Sequence, residues 1–339
     1  MKPFEKLSPL GRGRRMRPMA HQILSEYGIT TATLNQITEA SNTIFRVTTP
    51  DRCRYVLRIV SPKSCHGPDE IRSEMQWLHA LADETDIGIP APVATQDGRL
   101  AVRATHPSVP GERHAALFRW VPGRMLGNCR TTVNVLWHGA LMARLHQHAD
   151  SFQPDEAFRI RTYDNVFPYA DPDFPNIEPI ALEDEHFASL FPTRRRERFE
   201  EARQKVQEIM DRIFSGPHPP RVLHNDLHVW NVHVTRNKLY ALDFEDMIWG
   251  FPVQDIATTL YYYRYLETYP ELFKAFKTGY ESVTAWPEVP AEDLEALIVG
   301  RGILLANYVA VSDDPEDRAF APAYLQRMDE RITRFLEAS

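Results

Sequence analysis

The stretch that most restricts what this chain can become is Val222–Asp255, where two short apolar runs each end in carboxylates. Arg221–Leu223 leads into His224-Asn225-Asp226-Leu-His228-Val-Trp-Asn231, and Leu239–Leu242 leads into Asp243-Phe-Glu245-Asp246. Charged side chains directly after strand-like runs belong in polar loops, because a carboxylate buried without a partner is strongly destabilising. Asn231 follows Asp226 by five residues, Asp243 lies twelve beyond Asn231, and Asp255 another twelve beyond that. Phosphoryl transfer needs a carboxylate to orient a hydroxyl nucleophile, plus an amide and a second carboxylate to hold magnesium on ATP. A metal-dependent hydrolase could be built from the same residue types.

At 339 residues the chain has room for two domains or one large two-lobed one. Its net charge of −7 argues against a general nucleic-acid binder, which needs a basic face. The N-terminal Lys2, Lys6, Arg12, Arg14, Arg15 and Arg17 are expected to form a solvated arm. No hydrophobic core follows them, so no secretory signal is expected. The most apolar late run, Ala296–Val311, is broken by Arg301 and Asn307 and is too short to span a bilayer, which excludes a membrane span. Cys53, Cys65 and Cys129 are odd in number and lack metal spacing, which fits a reducing cytoplasm.

In chain order, residues 18–27 read as a short amphipathic helix closed by Gly28. Strand-like segments follow at Thr31–Glu39, Thr43–Thr49 and Arg54–Val60, with Asn42 at the tight connection between the first two. A helix starts near Asp69 and carries Ile71, Met75, Leu78 and Ala82 at helical spacing. Glu74 falls along that apolar stripe and needs a partner there. Arg58 on the preceding strand is the natural one, and an exposed Glu74 bridging to Arg72 is the alternative. Two more strands are expected at Arg99–Ala104 and His114–Val121. Composition then shifts at Pro122-Gly123, which divides the chain into 1–121 and 122–339. Helices follow at Thr132–His148 and along Phe199–Ile213, with an irregular Pro-, Asp- and aromatic-rich excursion over 150–191 between them. Val253–Tyr263, Glu271–Val283, Glu292–Val309 and Arg318–Leu336 close the chain as helices. The fold class is therefore α+β: a small antiparallel-sheet lobe, then a large mostly helical one. A cleft between lobes is a common place for a ligand.

The spacing from Asp226 to Asn231 is also that of the protein-kinase catalytic loop. The segments around it, with Gly250-Phe-Pro252-Val-Gln-Asp255-Ile-Ala, resemble the aminoglycoside phosphotransferase/choline kinase superfamily, which includes homoserine kinases and bacterial stress-response kinases. The resemblance extends to Tyr55-Val-Leu-Arg58, Glu74 and Trp120-Val-Pro-Gly123, and is dense only between Val222 and Ala257. It implies a protein-kinase-like two-lobed fold using ATP and Mg2+. By that resemblance Asp226 is the catalytic base, and Asn231 and Asp243 bind magnesium. Arg58, paired to Glu74, takes the place of the phosphate-contacting lysine, Arg119, Trp120 and Val121 form the hinge that meets adenine, and Asp255 holds the catalytic loop.

The chain departs from the protein-kinase pattern in three ways. It has no G-x-G-x-x-G, so Ala40-Ser41-Asn42-Thr43 must cover the phosphates with backbone amides and short polar side chains. Arg58 keeps the lysine's charge with a different donor geometry, and Glu245 stands where protein kinases carry glycine. The twelve positions from Asp243 to Asp255 leave no room for an activation loop and peptide platform, which favours a small-molecule hydroxyl acceptor. His224 is expected to pack and fix the loop, and His228 to lie near the transferred phosphate. Direct histidine–metal ligation would need more ligands than His233 alone. Glu245 and Asp246, with Trp249 and the tyrosines at 261, 262, 263 and 265, could receive a cationic acceptor such as an amine, although core packing also accounts for most of those tyrosines. The expected activity is an ATP-dependent kinase acting on an amino alcohol, amino acid or aminoglycoside. A stress-response type serine/threonine protein kinase and a catalytically inactive nucleotide-binding regulator are the alternatives. The sequence names neither the acceptor nor an oligomeric state.

Overall fold

A computed structural model describes residues 2–39, 42–62, 64–236 and 238–338. It divides into two compact units, 1–122 with 153–159, and 123–152 with 160–339. The return of 153–159 to the first unit is not foreseen by a single boundary at 121/122. Ser73 anchors it: its hydroxyl donates to the Arg159 carbonyl (3.1 Å) and accepts from the Arg159 N–H (2.7 Å).

The first unit begins with α1 (Pro9–Glu26), capped by the Ser8 hydroxyl, which accepts from Gly11 N–H at 3.2 Å. The helix ends in a Schellman arrangement: Gly28 adopts φ +66°, and Ile29 N–H reaches back to the Leu24 carbonyl at 3.0 Å. It therefore starts nine residues before the expected 18–27 segment, and the basic arm is not a solvated tail. Arg12 forms a two-pronged pair with Glu39 (2.6 Å each), and Arg17 donates to the Leu34 carbonyl (2.5 Å). Cap chemistry and these long-range partners outweigh the polar composition of residues 9–17.

Met16, Met19, Ile23 and Leu24 of α1 pack into one buried cluster with side chains of an antiparallel sheet. The sheet has the order β1-β2-β3-β5-β4. Its strands are β1 (Thr33–Glu39), β2 (Asn42–Thr48), β3 (Arg54–Val60), β4 (Ala101–His106) and β5 (Val109–Arg119), with α2 (Pro68–Glu84) between β3 and β4. Ser41 lies outside the described residues. Asn42 opens β2, opposite Val60, and is not a residue of the connection. β5 starts five residues before the expected His114. Pro110 and Gly111 look like loop residues, but they lie where β5 pairs with β4 and not yet with β3, a place a strand tolerates proline.

The second unit is mostly helical. Its first elements are β6 (Arg124–Met125), α3 (Thr132–Ser151) and α4 (Thr193–Phe214). Next come four short strands, β7 (Arg221–Leu223), β8 (Val232–Val234), β9 (Leu239–Ala241) and β10 (Ile248–Gly250). It closes with α5 (Pro252–Tyr261), α6 (Tyr269–Glu281), α7 (Ala291–Val311) and α8 (Pro315–Ala338). β8 and β9 form an antiparallel hairpin flanked by β6, and β10 pairs antiparallel with β7. These two small sheets hold the polar loops 224–231 and 242–247. Among the described residues α7 alone is long and apolar enough to cross a membrane, but 78% of that window is buried inside the fold, as befits a central core helix.

Helices α3 and α6 touch through glycines. A Cβ on Gly139 would lie 1.9 Å from the Phe276 carbonyl oxygen, and one on Gly279 would lie 1.7 Å from that of Leu136. Neither backbone can yield without separating the pair. Gly139→Ala or Gly279→Ala is therefore expected to lower stability by about 2–3 kcal/mol. The check is a lower urea midpoint at unchanged slope; a midpoint equal to wild type would refute this packing.

Candidate active site

The loop after β7 is held by a carboxylate from outside it. Asp255, in the first turn of α5 and fully buried, accepts the backbone N–H groups of His224 (3.2 Å) and Asn225 (3.0 Å). It also accepts from His146 Nε2 of α3 at 3.0 Å, while His146 Nδ1 accepts the Tyr280 hydroxyl at 2.9 Å. Burial alone would raise the Asp255 carboxyl, but the hydrogen bond and charge of His146, with His224, hold it below its ordinary value.

Two other buried histidines tie the loop further. His224 donates from Nε2 to the Leu242 carbonyl (2.9 Å) and accepts the Asp226 N–H at Nδ1 (3.3 Å), joining the two polar loops as the sequence suggested. Burial lowers its pKa. His138 of α3 donates to the Leu227 carbonyl (3.1 Å), which also accepts the Thr259 hydroxyl (2.6 Å). Burial pushes His138 down to about 3, so it is a neutral tether.

Asp226 stands at the centre. Arg301 Nη2 of α7 donates to its Oδ1 at 2.5 Å, and Asn231 Nδ2 donates to its Oδ2 at 2.7 Å. His228 Nε2 lies 3.5 Å from Oδ2, and its ring packs on Tyr262 at 4.4 Å. Burial pushes the Asp226 carboxyl up to about 7, against the opposing pull of Arg301 and Asn231. Burial, reinforced by Arg301, pushes His228 down to about 4.

Asn231 also donates to the Asp226 carbonyl (3.0 Å), so its amide nitrogen is committed and its carbonyl oxygen is the end left for a cation. A backbone bond from Leu242 N–H to the Asn231 carbonyl (2.8 Å) sets Asp243 immediately beside it in the ladder. Asp243 is exposed and holds φ +63°; Asn225 holds φ +62°. Asn and Asp tolerate this left-handed region better than other non-glycine residues. Among the described residues no three or more His, Cys, Asp or Glu side chains converge into a self-contained metal site. An amide oxygen and one carboxylate do suit Mg2+, which commonly takes one or two protein ligands and completes its shell with phosphate oxygens and water.

The acceptor-side candidates separate. Asp246 accepts the Tyr169 hydroxyl (2.8 Å) through Oδ1, and its carbonyl accepts Asn225 Nδ2 (3.2 Å). Glu245 is half-buried on the same loop and its charge raises the Asp226 pKa. Trp249 lies on β10, where its backbone bonds run to Arg161 and Tyr163 (2.8 Å each). Tyr261 and Tyr263 are core, bonded to Tyr324 (2.6 Å) and His138 (2.9 Å), and Tyr265 lies under Arg331 at 3.4 Å. Tyr262 alone of the four packs against the loop.

In the first unit, Arg58 and Glu74 are both buried and form a two-pronged pair, one contact at 2.9 Å, as their sequence positions suggested. The Arg58 guanidinium also lies 5.3 Å over the Phe118 ring. Arg119 and Trp120 spend their backbone N–H groups inside this unit, on the carbonyls of Ala91 (2.9 Å) and Arg54 (3.1 Å); Val121 is buried.

Sequence reasoning passed over Arg301, Asn225, Tyr169, His138 and His146. A charged residue inside an otherwise apolar helix was the available signal for Arg301. The others carry no local signal, because their partners lie 21 to 134 residues away.

With this geometry in view, the comparisons define the class first. The structure superposes on a microcompartment-associated aminopropanol kinase with TM-score 0.78 at 23% identity, covering 95% of this chain and 98% of that one. It is similar to an amicoumacin kinase in complex with AMP-PNP and Ca2+ (TM-score 0.74, 16% identity, 95% and 97% covered). A spectinomycin phosphotransferase in complex with ADP gives TM-score 0.65 at 12% identity, with 94% and 98% covered. At these identities the likeness is one of fold, and the fold is kinase-like. The sequence matches the phosphotransferase enzyme family (APH) over residues 33–291, and the chain belongs to that family, as its motifs suggested. An uncharacterized protein of Synechocystis sp. is 29% identical over 251 residues, which is 72% of this chain and 63% of that protein. The chain thus spans less than two thirds of that relative's length.

Asp255→Asn should cost about 3 kcal/mol or more, since an amide keeps only one of the two accepting oxygens and sets an NH2 donor against donors the other had accepted. The sign with pH follows from the lowered pKa. The carboxylate's contribution is full above its unfolded value, near ~4, and is lost as pH falls through the folded one. The stability gap between wild type and Asp255→Asn should therefore be constant from pH 5 to 7 and narrow below about 4. Denaturant titrations across pH test this, and a gap that widens in acid would contradict it.

Proposed function

We propose that this protein is an ATP- and magnesium-dependent kinase that phosphorylates a hydroxyl group of a small molecule. The observation that carries the reading is Asp226, clamped by Arg301 and Asn231 in a loop that the buried Asp255 holds in place. Membership of the phosphotransferase family and a kinase-like fold support it. Asn231 and Asp243 would hold Mg2+, whose chemistry is to neutralise charge on the phosphates of ATP. Arg58, fixed by Glu74, and Asn42 are the first unit's candidates for phosphate, and Arg119, Trp120 and Val121 its candidates for adenine.

In this reading Asp226 orients the acceptor hydroxyl and takes its proton as the new O–P bond forms and the bond from the γ-phosphorus to the bridging oxygen breaks, releasing ADP. Most of the rate comes from positioning and charge stabilisation, with proton transfer late. The acceptor is small because the residues after Asp243 are used at once on a turn, β10 and the first turn of α5. Asp246, Glu245, His228 and Trp249 are the candidates for contacting it, and carboxylates with an aromatic face favour an acceptor with an amine, such as an amino alcohol. A cytoplasmic setting goes with this reading.

Asp226→Ala should lower kcat by about 10²–10⁴-fold while Mg-ATP still raises the melting temperature. Asp243→Ala should weaken that Mg-ATP stabilisation itself. ADP release across a panel of amino alcohols, amino acids, sugars and aminoglycosides measures the first, and thermal shift the second. Full transfer by either variant would sink the assignment.

A further inference from the structure

Resting on the reading of Asp226 as catalytic base, we propose that Arg301 is a positioning residue: it clamps one oxygen of Asp226 so that the other faces the acceptor hydroxyl. The two oxygens have different surroundings. Oδ1 takes the 2.5 Å bond from Arg301, whereas Oδ2 takes Asn231 at 2.7 Å and has His228 at 3.5 Å. The terminal torsion of an aspartate is broad and roughly two-fold, so without a clamp the carboxylate sweeps through a wide arc. A carboxylate oxygen has two lone pairs, and Oδ2 can keep Asn231 on one and meet a hydroxyl with the other.

The clamp is anchored where α7 packs closely on its neighbours. Arg301 is buried, and it sits between two glycines that draw α7 against its neighbours. A Cβ on Gly300 would meet Val206 of α4 at 2.8 Å, and one on Gly302 would meet Met328 of α8 at 2.5 Å and Tyr261 of α5 at 3.1 Å. The guanidinium therefore extends from a point fixed by three other helices.

The arginine carries a local cost. Its Nε is buried without a hydrogen-bond partner, and the helix around it is apolar. An apolar residue at 301 alone would leave the Asp226 carboxylate without its counter-charge, so such a variant is expected to lose stability as well, and the kinetic readouts separate positioning from packing. The local cost is explained if Arg301 serves the geometry of Asp226.

The test uses the full chain, Mg-ATP, and whichever acceptor, water included, gives wild type its fastest ADP release. Arg301→Met should lower kcat about 100-fold with KM for Mg-ATP within twofold of wild type and the Mg-ATP thermal shift intact. Arg301→Lys, which keeps the charge without the planar fork, should recover part of the loss. If Arg301→Met does not fold, Arg301→Lys carries the comparison, measured per folded molecule by circular dichroism. Wild-type kcat in a folded Arg301 variant overturns the clamp. So does a fall in kcat that only mirrors the unfolded fraction, or one matched by a rise in KM for Mg-ATP. A wild type that neither releases ADP nor is stabilised by Mg-ATP sinks the kinase reading itself. Turnover by wild type together with undiminished Arg301 variants sinks only the clamp.

Discussion

The buried carboxylate of Asp255 is the interaction on which the catalytic loop depends. Placing a full negative charge among α3, α5 and the β7 loop is expensive, and the expense is met only when several donors converge on it. The backbone N–H groups of His224 and Asn225 and the ring of His146 do so. Because two of these donors are backbone, the carboxylate sets the path of the chain and not merely a side chain. The N–H groups it takes up are also those left without a ladder partner where β7 ends, so one charge removes several unsatisfied donors.

Around that charge the structure uses buried histidines as ties, and burial lowers the pKa of His138 and His224. His138, His146 and His224 each spend both ring nitrogens, one toward a carbonyl or carboxylate oxygen and the other toward a hydroxyl or backbone N–H. A neutral imidazole can donate at one edge and accept at the other, which lets it bridge two backbone segments without adding charge to a dry interior. The arrangement links α3, α6, the β7 loop and the β9 loop. It also commits both ring nitrogens of His224 to hydrogen bonds.

Much of this was legible in the sequence, for identifiable reasons. Asp226, Asn231 and Asp243 belong to short loops, with Asp255 at the next helix start, all at fixed spacing, and a pair such as Arg58 and Glu74 can be inferred because an apolar helical stripe makes a lone glutamate costly. Strand alternation and helical periodicity carried the element order. What stayed hidden depends on tertiary contact. The basic residues of α1 look solvated until Glu39 and the Leu34 carbonyl arrive to meet them. Arg301 looks like an interruption in an apolar run until the fold brings it to Asp226, seventy-five residues away in sequence. Tyr169 and Asn225 become site residues only through the irregular segment after α3, which has no period to read.

Part of the second unit's backbone strain lies at the same place. Asn225 and Asp243 hold left-handed backbone, and Asn225 Oδ1 and Arg301 Nε are buried without partners. Each feature lowers stability by a modest amount, of order 1–3 kcal/mol in comparable settings. Asn225 and Asp243 lie in the two loops that carry the carboxylates, and Arg301 reaches the first of them from α7. A left-handed residue turns its side chain against the run of the strand before it. Asp243, directly after β9 and Leu242, is exposed and not part of the core. The rigid surroundings, namely the Asp255 ties and the glycine-mediated contacts of α7, are what allow such a conformation to persist. The stability of the scaffold and the strain of the site are in this sense one design: the first keeps the second in place.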